Sequence, residues 1–377
     1  MPNTELLRDP ALRAVVERFA FPGAWTDAAP IKTGHINRTY RLSFEQADGG
    51  VRDYVLQRVN TYVFRRPVEL MENVLMVTEH LRDAYLRAGE DPANRVLRVV
   101  PALDGTPSFV DAEGGFWRAY EFITGAYCVD HAGSPEVFRE IGAGFGAFQR
   151  MLVDFPIGKL HDTIPFFHDT RRRLEAFEAS VAKDALGRAA SVAEEIDFVR
   201  AHIAGKCAIV DMLASGALPL RVTHNDTKIN NVMLEEGTGR ALCVIDLDTV
   251  MPGSVLYDFG EAIRTGASTA DEDEPDLSKV RMDLELYAAY TDGFVSETIA
   301  GLTPAELENL PLGPLVMTFE NGVRFLTDHL DGDVYFHIDH PGHNLDRARN
   351  QFRLVRDMEA KWVEMDRLTR AAIAKYR

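Results

Sequence analysis

The chain has 377 residues, 46% hydrophobic and 26% charged, too long for one ordinary core and apolar enough for two lobes. Its net charge of −17 speaks against a nucleic acid or an anionic membrane as partner, since both repel an acidic surface over a Debye length. Three cysteines without a CxxC pair imply a reducing compartment. With no secretory pattern in residues 1–21 and no apolar run of about 18 residues, the expectation is a cytoplasmic protein without a membrane span.

Helical periodicity over 6–19 gives way, after Pro22-Gly23, to strand-rich sequence at 31–36, 39–45 and 54–59, with Asp48-Gly49-Gly50 as a turn. A strong helix is expected over 67–88, followed by strands over 96–103, 108–111 and 116–123. Residues 1–124 are therefore expected to form a small β-rich lobe. From Pro135 the pattern turns helical, over 137–153, 172–183 and 193–214, so 125–377 is expected to be a larger, mainly helical lobe. Gly142, Gly144 and Gly146 each lower helix propensity by about 1 kcal/mol relative to alanine, which predicts close packing of that helix against another element.

Residues 218–223 read as an extended run that delivers His224-Asn225-Asp226-Thr227-Lys228 into a loop, because the Asn-Asp-Thr cluster hydrogen-bonds its own backbone. Residues 230–234 and 241–245 read as two strands of a hairpin that returns Asp246 beside Asn231. An Asp-x-Lys-x-x-Asn string alone is a common surface turn. The hairpin, the second aspartate and the histidine two residues before the first make this one specific. Moving a γ-phosphoryl group needs a carboxylate on the acceptor hydroxyl, oxygen ligands for Mg2+ and a cation for the phosphate oxygens. Asp226, the pair Asn231 and Asp246, and Lys228 match those needs. Asp258-Phe259-Gly260, at what reads as a helix start, imitates a metal-binding triplet; Asp258 is expected to cap amides or brace the loop instead.

Residues 270–276 read as a solvated acidic loop, and helices are expected over 284–294, 304–310 and 315–330, the last carrying Arg324. Tyr335 and Phe336 beside Asp331 and Asp333 make an aromatic-plus-carboxylate patch that suits a sugar. His337, His340 and His343 step by three, but Pro341-Gly342 breaks any helix that would align them, so a polar rim is expected rather than a zinc site.

At His224, Asp226, Asn231 and Ile245-Asp246 the chain resembles the aminoglycoside phosphotransferase and choline kinase superfamily. It further resembles the N-acetylhexosamine 1-kinases in Ile31-Lys32-Thr33-Gly34-His35-Ile36-Asn37-Arg38-Thr39-Tyr40, in Val222-Thr223-His224-Asn225-Asp226-Thr227-Lys228, and in segments at 245–254 and 324–336. The resemblance implies an α+β, protein-kinase-like two-lobe fold and ATP-dependent phosphorylation of the anomeric hydroxyl of N-acetylglucosamine or N-acetylgalactosamine, with ATP and Mg2+ as cofactors. Alternatives are a kinase for another small alcohol or amino sugar, such as choline or an aminoglycoside, and a nucleotide- or sugar-binding protein without turnover. Retention of Asp226, Asn231 and Asp246 together argues against the last.

The resemblance implies that Asp226 is the base, Asn231 and Asp246 are the metal ligands, Lys228 is a γ-phosphate contact, and His35, Arg324 and Tyr335 line the sugar site. In the first lobe the nucleotide loop has the single glycine Gly34, with Asn37 and Thr39 as hydrogen-bonding candidates. The third strand lacks the lysine that pairs with the α- and β-phosphates; Gln57 and Arg58 are its polar candidates, and Arg58 is a candidate ion-pair partner of Glu72. The segment Tyr120-Glu121-Phe122-Ile123-Thr124-Gly125 is the expected hinge, where backbone groups of Glu121 and Ile123 meet the adenine edge.

Overall fold

A computed structural model of the chain describes residues 4–31 and 36–377. The chain divides into two units: residues 1–126 with 158–164 and 243–251, and residues 127–157 with 165–242 and 252–377.

In the first unit, the expected helix over 6–19 is two, α1 (Thr4–Arg8) and α2 (Pro10–Val16). Pro10 has no N–H to continue the first, and Asp9 Oδ1 caps the second by accepting from Ala11 N at 2.9 Å. A mainly antiparallel sheet follows, built from β1 (Ala24–Ile31), β2 (Arg38–Glu45), β3 (Val51–Val59), β4 (Val99–Val100), β5 (Phe109–Val110) and β6 (Phe116–Glu121). Its order is β1-β2-β3-β6-β4, with β5 also on β6.

Of the strand expected over 31–36, residues 32–35 lie outside the described residues; the strand that precedes them, β1, tolerates Pro30 because it is an edge. Alternation sends Leu42, Phe44, Leu56, Trp117 and Ala119 into one core with the apolar residues of α2. Phe116, Trp117, Arg118, Ala119 and Tyr120 of β6 are all buried, so the strand is covered on both faces and Arg118 lies on the face opposite Trp117 and Ala119.

Helix α3 (Pro67–Arg87) buries Leu70, Met71, Val74, Val77 and Leu81 at helical spacing. Its buried Asn73 fastens both later insertions. Nδ2 donates to the carbonyl oxygens of His161 and Val250, each at 2.9 Å, and Oδ1 accepts from His161 N at 2.8 Å.

The second unit is mostly helical: α4 (Pro135–Met151), α5 (Thr170–Lys183), α6 (Ala193–His202), α7 (Ala208–Ala214), α8 (Val255–Gly266), α9 (Leu284–Thr298), α10 (Pro304–Glu308), α11 (Leu312–Asp331), α12 (His343–Ala360) and α13 (Trp362–Tyr376). The helix expected over 193–214 is interrupted by Gly205, whose φ of +76° ends α6. Short strands β7 (Ala126–Tyr127), β8 (Arg221–Thr223), β9 (Val232–Glu235), β10 (Ala241–Val244) and β11 (Met251–Gly253) complete the chain. Helix α11 is buried along most of its length, against α5, α8 and α12. Among the described residues no helix is long and apolar enough to cross a membrane.

The glycines of α4 pack as expected. A Cβ on Gly142 would stand 2.4 Å from Tyr290 O of α9, one on Gly146 2.8 Å from Phe294 O, and one on Gly293 of α9 2.0 Å from Arg139 O. The two backbones meet where side chains would hold them apart. Gly142→Ala should therefore destabilise by about 1–3 kcal/mol, as overpacked cores do, seen as a lower denaturant midpoint; an unchanged midpoint would show that the helix pair can slide.

Candidate active site

Strand β8 leads into the loop that carries the predicted acid. Arg221 anchors the entry through a paired contact with Glu306, Nε to Oε1 and Nη2 to Oε2, both at 2.8 Å. His224 is fully buried with its ring edge-on to Phe145 and Phe148 of α4. Asn225 turns the chain through a left-handed conformation, φ 63°.

Asp258, in the first turn of α8, fixes this loop. Its Oδ2 accepts from His224 N at 2.9 Å and from Gln149 Nε2 of α4 at 2.8 Å, and its Oδ1 accepts from Asn225 N at 2.7 Å. Thr227 Oγ1 donates to its carbonyl oxygen at 2.6 Å. Burial pushes the Asp258 carboxyl above the usual carboxylate range, against the pull of His224 and these donors. Ser254 caps the helix by accepting from Leu256 N, so Asp258 is a brace and not the cap.

The clamped loop presents Asp226, Lys228 and Asn231 together. Lys228 Nζ lies 3.0 Å from Asp226 Oδ1 and 3.3 Å from Oδ2. Asn231 Nδ2 donates to Asp226 O at 2.7 Å and stands 3.5 Å from Oδ2. Its Oδ1 accepts no hydrogen bond from the described residues. The Asp226 carboxylate raises the Lys228 pKa above the ordinary lysine value.

Next to Lys228 is a cavity of about 380 Å3 lined also by Asp130, Arg264, Glu272 and Gln351. Arg264 is buried and donates from Nε to Glu261 Oε2 at 2.8 Å, while Nη1 reaches Gln351 and Glu272. Burial pushes the Glu261 carboxyl up, but Arg264, with Lys228 and His168, outweighs it and holds the group down at about 2. Sequence reasoning missed Glu261; the signal available was its i,i+3 spacing from Arg264 on an apolar helix.

Arg324 and Tyr335 come together, though neither lines that cavity. The Arg324 guanidinium lies over Phe336, Phe167 and Tyr335, 5.3, 5.9 and 5.9 Å from the ring centroids. Its Nη1 donates to Asn321 Oδ1 at 3.2 Å, and Asn321 Nδ2 reaches Glu261 Oε2 at 3.5 Å. Of the carboxylates near Tyr335, Asp328 and Asp333 face inward, and Asp331 is exposed. Asp328 accepts from the backbone amides of Val334, Tyr335 and Phe336 at 2.8–2.9 Å. Asp333 pairs with Arg188 at 2.8 Å, and Asp331 accepts from Ser180 Oγ at 3.1 Å.

In the first unit the predicted residues form a second network. Asn37 Nδ2 donates to Asp248 Oδ2 at 2.7 Å and its Oδ1 accepts from Asn60 N at 3.0 Å. Gln57 donates to Thr39 Oγ1 at 3.1 Å and accepts from Arg118 Nε at 3.0 Å. Arg58 does not meet Glu72: it lies over the Trp117 ring at 5.9 Å, while Glu72 Oε2 is 2.6 Å from His161 Nε2, a partner supplied by an insertion far along the chain. Glu121 pairs with Arg98 at 3.3 Å and Ile123 is buried. Asp246 follows β10 in a left-handed conformation, φ 61° and ψ 59°. Gly34 and His35 lie outside the described residues.

The model of the phosphotransferase enzyme family, APH, matches residues 27–292. The chain is similar in structure to an aminoglycoside phosphotransferase from Alicyclobacillus acidocaldarius, with a TM-score of 0.59, 14% identity, and coverage of 97% of this chain and 95% of that one. An amicoumacin kinase, hAmiN, in complex with AMP-PNP, Ca2+ and Ami gives 0.55, 15%, and 95% and 96%. A choline kinase from Cryptosporidium parvum gives 0.53, 15%, and 90% of each chain. The likeness is one of fold: mixed α+β and protein-kinase-like, with a sheet-bearing part and a helical part.

The buried Glu261 carries a pH signature. Its folded pKa lies below the ordinary glutamate value of 4.5, so its contribution is complete above that pH and is lost as pH falls toward about 2. Glu261→Gln should lower stability at pH 7, by leaving Arg264 short of a partner, and should flatten the decline of unfolding free energy between pH 5 and 2. Parallel pH profiles for the two proteins would contradict the assignment.

Proposed function

Since the chain belongs to the phosphotransferase enzyme family, we propose that it is a cytoplasmic, ATP-dependent kinase that phosphorylates the anomeric hydroxyl of an N-acetylhexosamine, GlcNAc or GalNAc, to the 1-phosphate. The observation that carries the phosphotransfer part is the clamped loop, on which Asp226, Lys228 and Asn231 share one short segment. The acceptor rests on the sequence resemblance, supported by Arg324 and Tyr335 lying in contact. Residues 1–124 are the nucleotide-binding lobe in this reading, through Gly34, Asn37, Thr39, Gln57, Arg58 and the hinge groups of Glu121 and Ile123. Residues 125–377 bring the catalytic and sugar-binding groups, with His35 of the first lobe added to Arg324 and Tyr335.

Transfer joins the anomeric oxygen to the γ-phosphorus and breaks the bond to the β-phosphate oxygen. Asp226 orients the hydroxyl and takes its proton. An anomeric hydroxyl is more acidic than an ordinary alcohol, so in a loose transition state the proton moves late and a carboxylate is base enough. Lys228, already drawn to Asp226, offsets charge on the γ-phosphate oxygens.

Asn231 and Asp246 would hold Mg2+, which when bound neutralises charge on the phosphate oxygens. The donor set fits. Asn231 offers an amide oxygen that accepts no hydrogen bond from the described residues, and Asp246 would add a carboxylate. Magnesium suits such a sparse set because it keeps waters and phosphate oxygens as ligands. The amicoumacin kinase similar in fold is described with AMP-PNP and Ca2+, which supports a nucleoside triphosphate and a divalent cation here.

A coupled ADP-release assay over N-acetylglucosamine, N-acetylgalactosamine, glucose, choline and kanamycin tests the acceptor. The expected result is highest turnover with an N-acetylhexosamine and a product whose phosphate mild acid releases; turnover confined to choline or kanamycin would overturn it. Asp226→Asn should lower kcat by roughly 10²–10⁴ while nucleotide affinity persists, and near-wild-type turnover would remove Asp226 from the chemistry. For Tyr335→Ala, the acceptor KM should rise about tenfold, about 1.4 kcal/mol, with the ATP KM unmoved; the reverse pattern would take Tyr335 out of the sugar site.

A further inference from the structure

Arg118, 1% exposed, is among the largest fully buried side chains of the described residues and lies between Trp117 and Ala119 on β6. On β6 it stands directly across from Gln57 of β3, the position left without a cation on the third strand. Its Nε donates to Gln57 Oε1 at 3.0 Å, its Nη1 lies 2.5 Å from Asp248 Oδ1, and its plane faces the Tyr120 ring at 5.3 Å. The Asp248 contact is a close ion pair rather than an aligned hydrogen bond, since Oδ1 has no donor at hydrogen-bonding angle. The other oxygen, Oδ2, accepts from Asn37 Nδ2 at 2.7 Å, and Asn37 is itself held by Asn60 N.

We propose that Arg118 is the positioning cation of the turn that carries Asp246, taking over from the neighbouring strand the place that the third strand leaves empty of charge. The inference rests on the kinase reading, in which Asp246 is a metal ligand. Asp246 sits in a left-handed conformation, uncommon for a residue other than glycine although aspartate enters it more readily than most. The next residues, Leu247–Thr249, form a single tight turn, and Asp248 is its middle residue. With one oxygen on Arg118 and the other on Asn37, Asp248 cannot rotate, and the backbone on either side of it is fixed.

A buried guanidinium–carboxylate pair stabilises less than a packed apolar pair of the same volume would, because both ions lose their water. Its use is therefore geometric. Burial works against the charge on Arg118, and Asp248 with Asp246 outweighs it, so the group stays cationic. Gln57, bonded to Arg118 and to Thr39, sets the guanidinium plane and ties β2, β3 and β6 to the turn.

The test measures AMP-PNP binding by calorimetry across a Mg2+ titration and in EDTA, with circular dichroism and ligand-free melting as checks of folding. For Arg118→Met the affinity in saturating Mg2+ should fall at least tenfold while that in EDTA changes less than twofold. Arg118→Lys should lie between, and Gln57→Lys combined with Arg118→Met should recover at least threefold by moving the cation to the third strand. A purely structural role would lower the melting temperature without touching the Mg2+ dependence. A folded Arg118→Met with wild-type Mg2+ dependence overturns the proposal alone, and the isosteric Asp248→Asn carries the same test should Arg118→Met not fold. A wild-type protein without Mg2+-dependent AMP-PNP binding overturns the kinase reading itself and the proposal with it.

Discussion

The second unit depends on one carboxylate. Asp258 is 1% exposed and receives two backbone N–H groups and the Gln149 amide. A buried carboxylate without such donors would cost several kcal/mol, and the amides it satisfies would each cost about 1–3 kcal/mol if left unpaired. Each side of the contact thus requires the other. The chain can enter the left-handed turn at Asn225 only because both amides flanking that residue's start are held, and the turn is what places Asp226, Lys228 and Asn231 on one surface. The brace lies on a helix and its target on a loop, so the loop takes its rigidity from α8 and α4.

Polar burial of the same kind recurs wherever candidate functional residues lie. Arg264 is enclosed with Glu261 and Glu272, Glu320 with His168 and Thr170, and Arg118 with Asp248 and Gln57. For Glu320, burial pushes the carboxyl up and the bonds from His168 and Thr170 bring it below its ordinary value. Such pairs are poor sources of stability and good sources of fixed geometry, because a misplaced partner leaves a buried charge alone. Apolar packing supplies the stability elsewhere, most tightly at the glycine contact of α4 with α9.

What the sequence made legible follows from range. The acid-lysine-amide loop was legible because Asp226, Lys228 and Asn231 lie within six residues, although the brace that holds it, Asp258, is distant in sequence. Helices α3, α4 and α11 were readable from their apolar periodicity, with ends shifted by a few residues. The strand over 24–30 was not legible because Ala28-Ala29-Pro30 has little strand propensity and is paired only through Leu42, Arg41 and Tyr40 of β2. Long-range partners were illegible. Arg58 was matched to Glu72 on the next helix, yet His161 takes Glu72 from an insertion that no local pattern announces. Arg118 offered only a basic residue between apolar neighbours, and its partner Asp248 lies in a segment well beyond the Asp226 loop. In the Asp331 and Asp333 patch, both Asp333 oxygens are engaged, by Arg188 and Asn344, while exposed Asp331 accepts from Ser180 with one oxygen.

That last point bears on the charge of the acceptor. The chain carries a net charge of −17, and an acidic pocket for a polycation would be the simple expectation. Around Tyr335 the carboxylates of Asp328, Asp331 and Asp333 are each held by amides, a hydroxyl or an arginine. The charge that faces the aromatic cluster is cationic. Arg324 lies among Phe167, Tyr335 and Phe336, and burial, followed by Arg324, pushes the Arg173 guanidinium below its ordinary value against the opposing pull of Glu320 and Asp169. In the proposed reading, a neutral acetamido sugar would bring carbonyl and hydroxyl oxygens for the guanidinium donors and an apolar ring face for Tyr335.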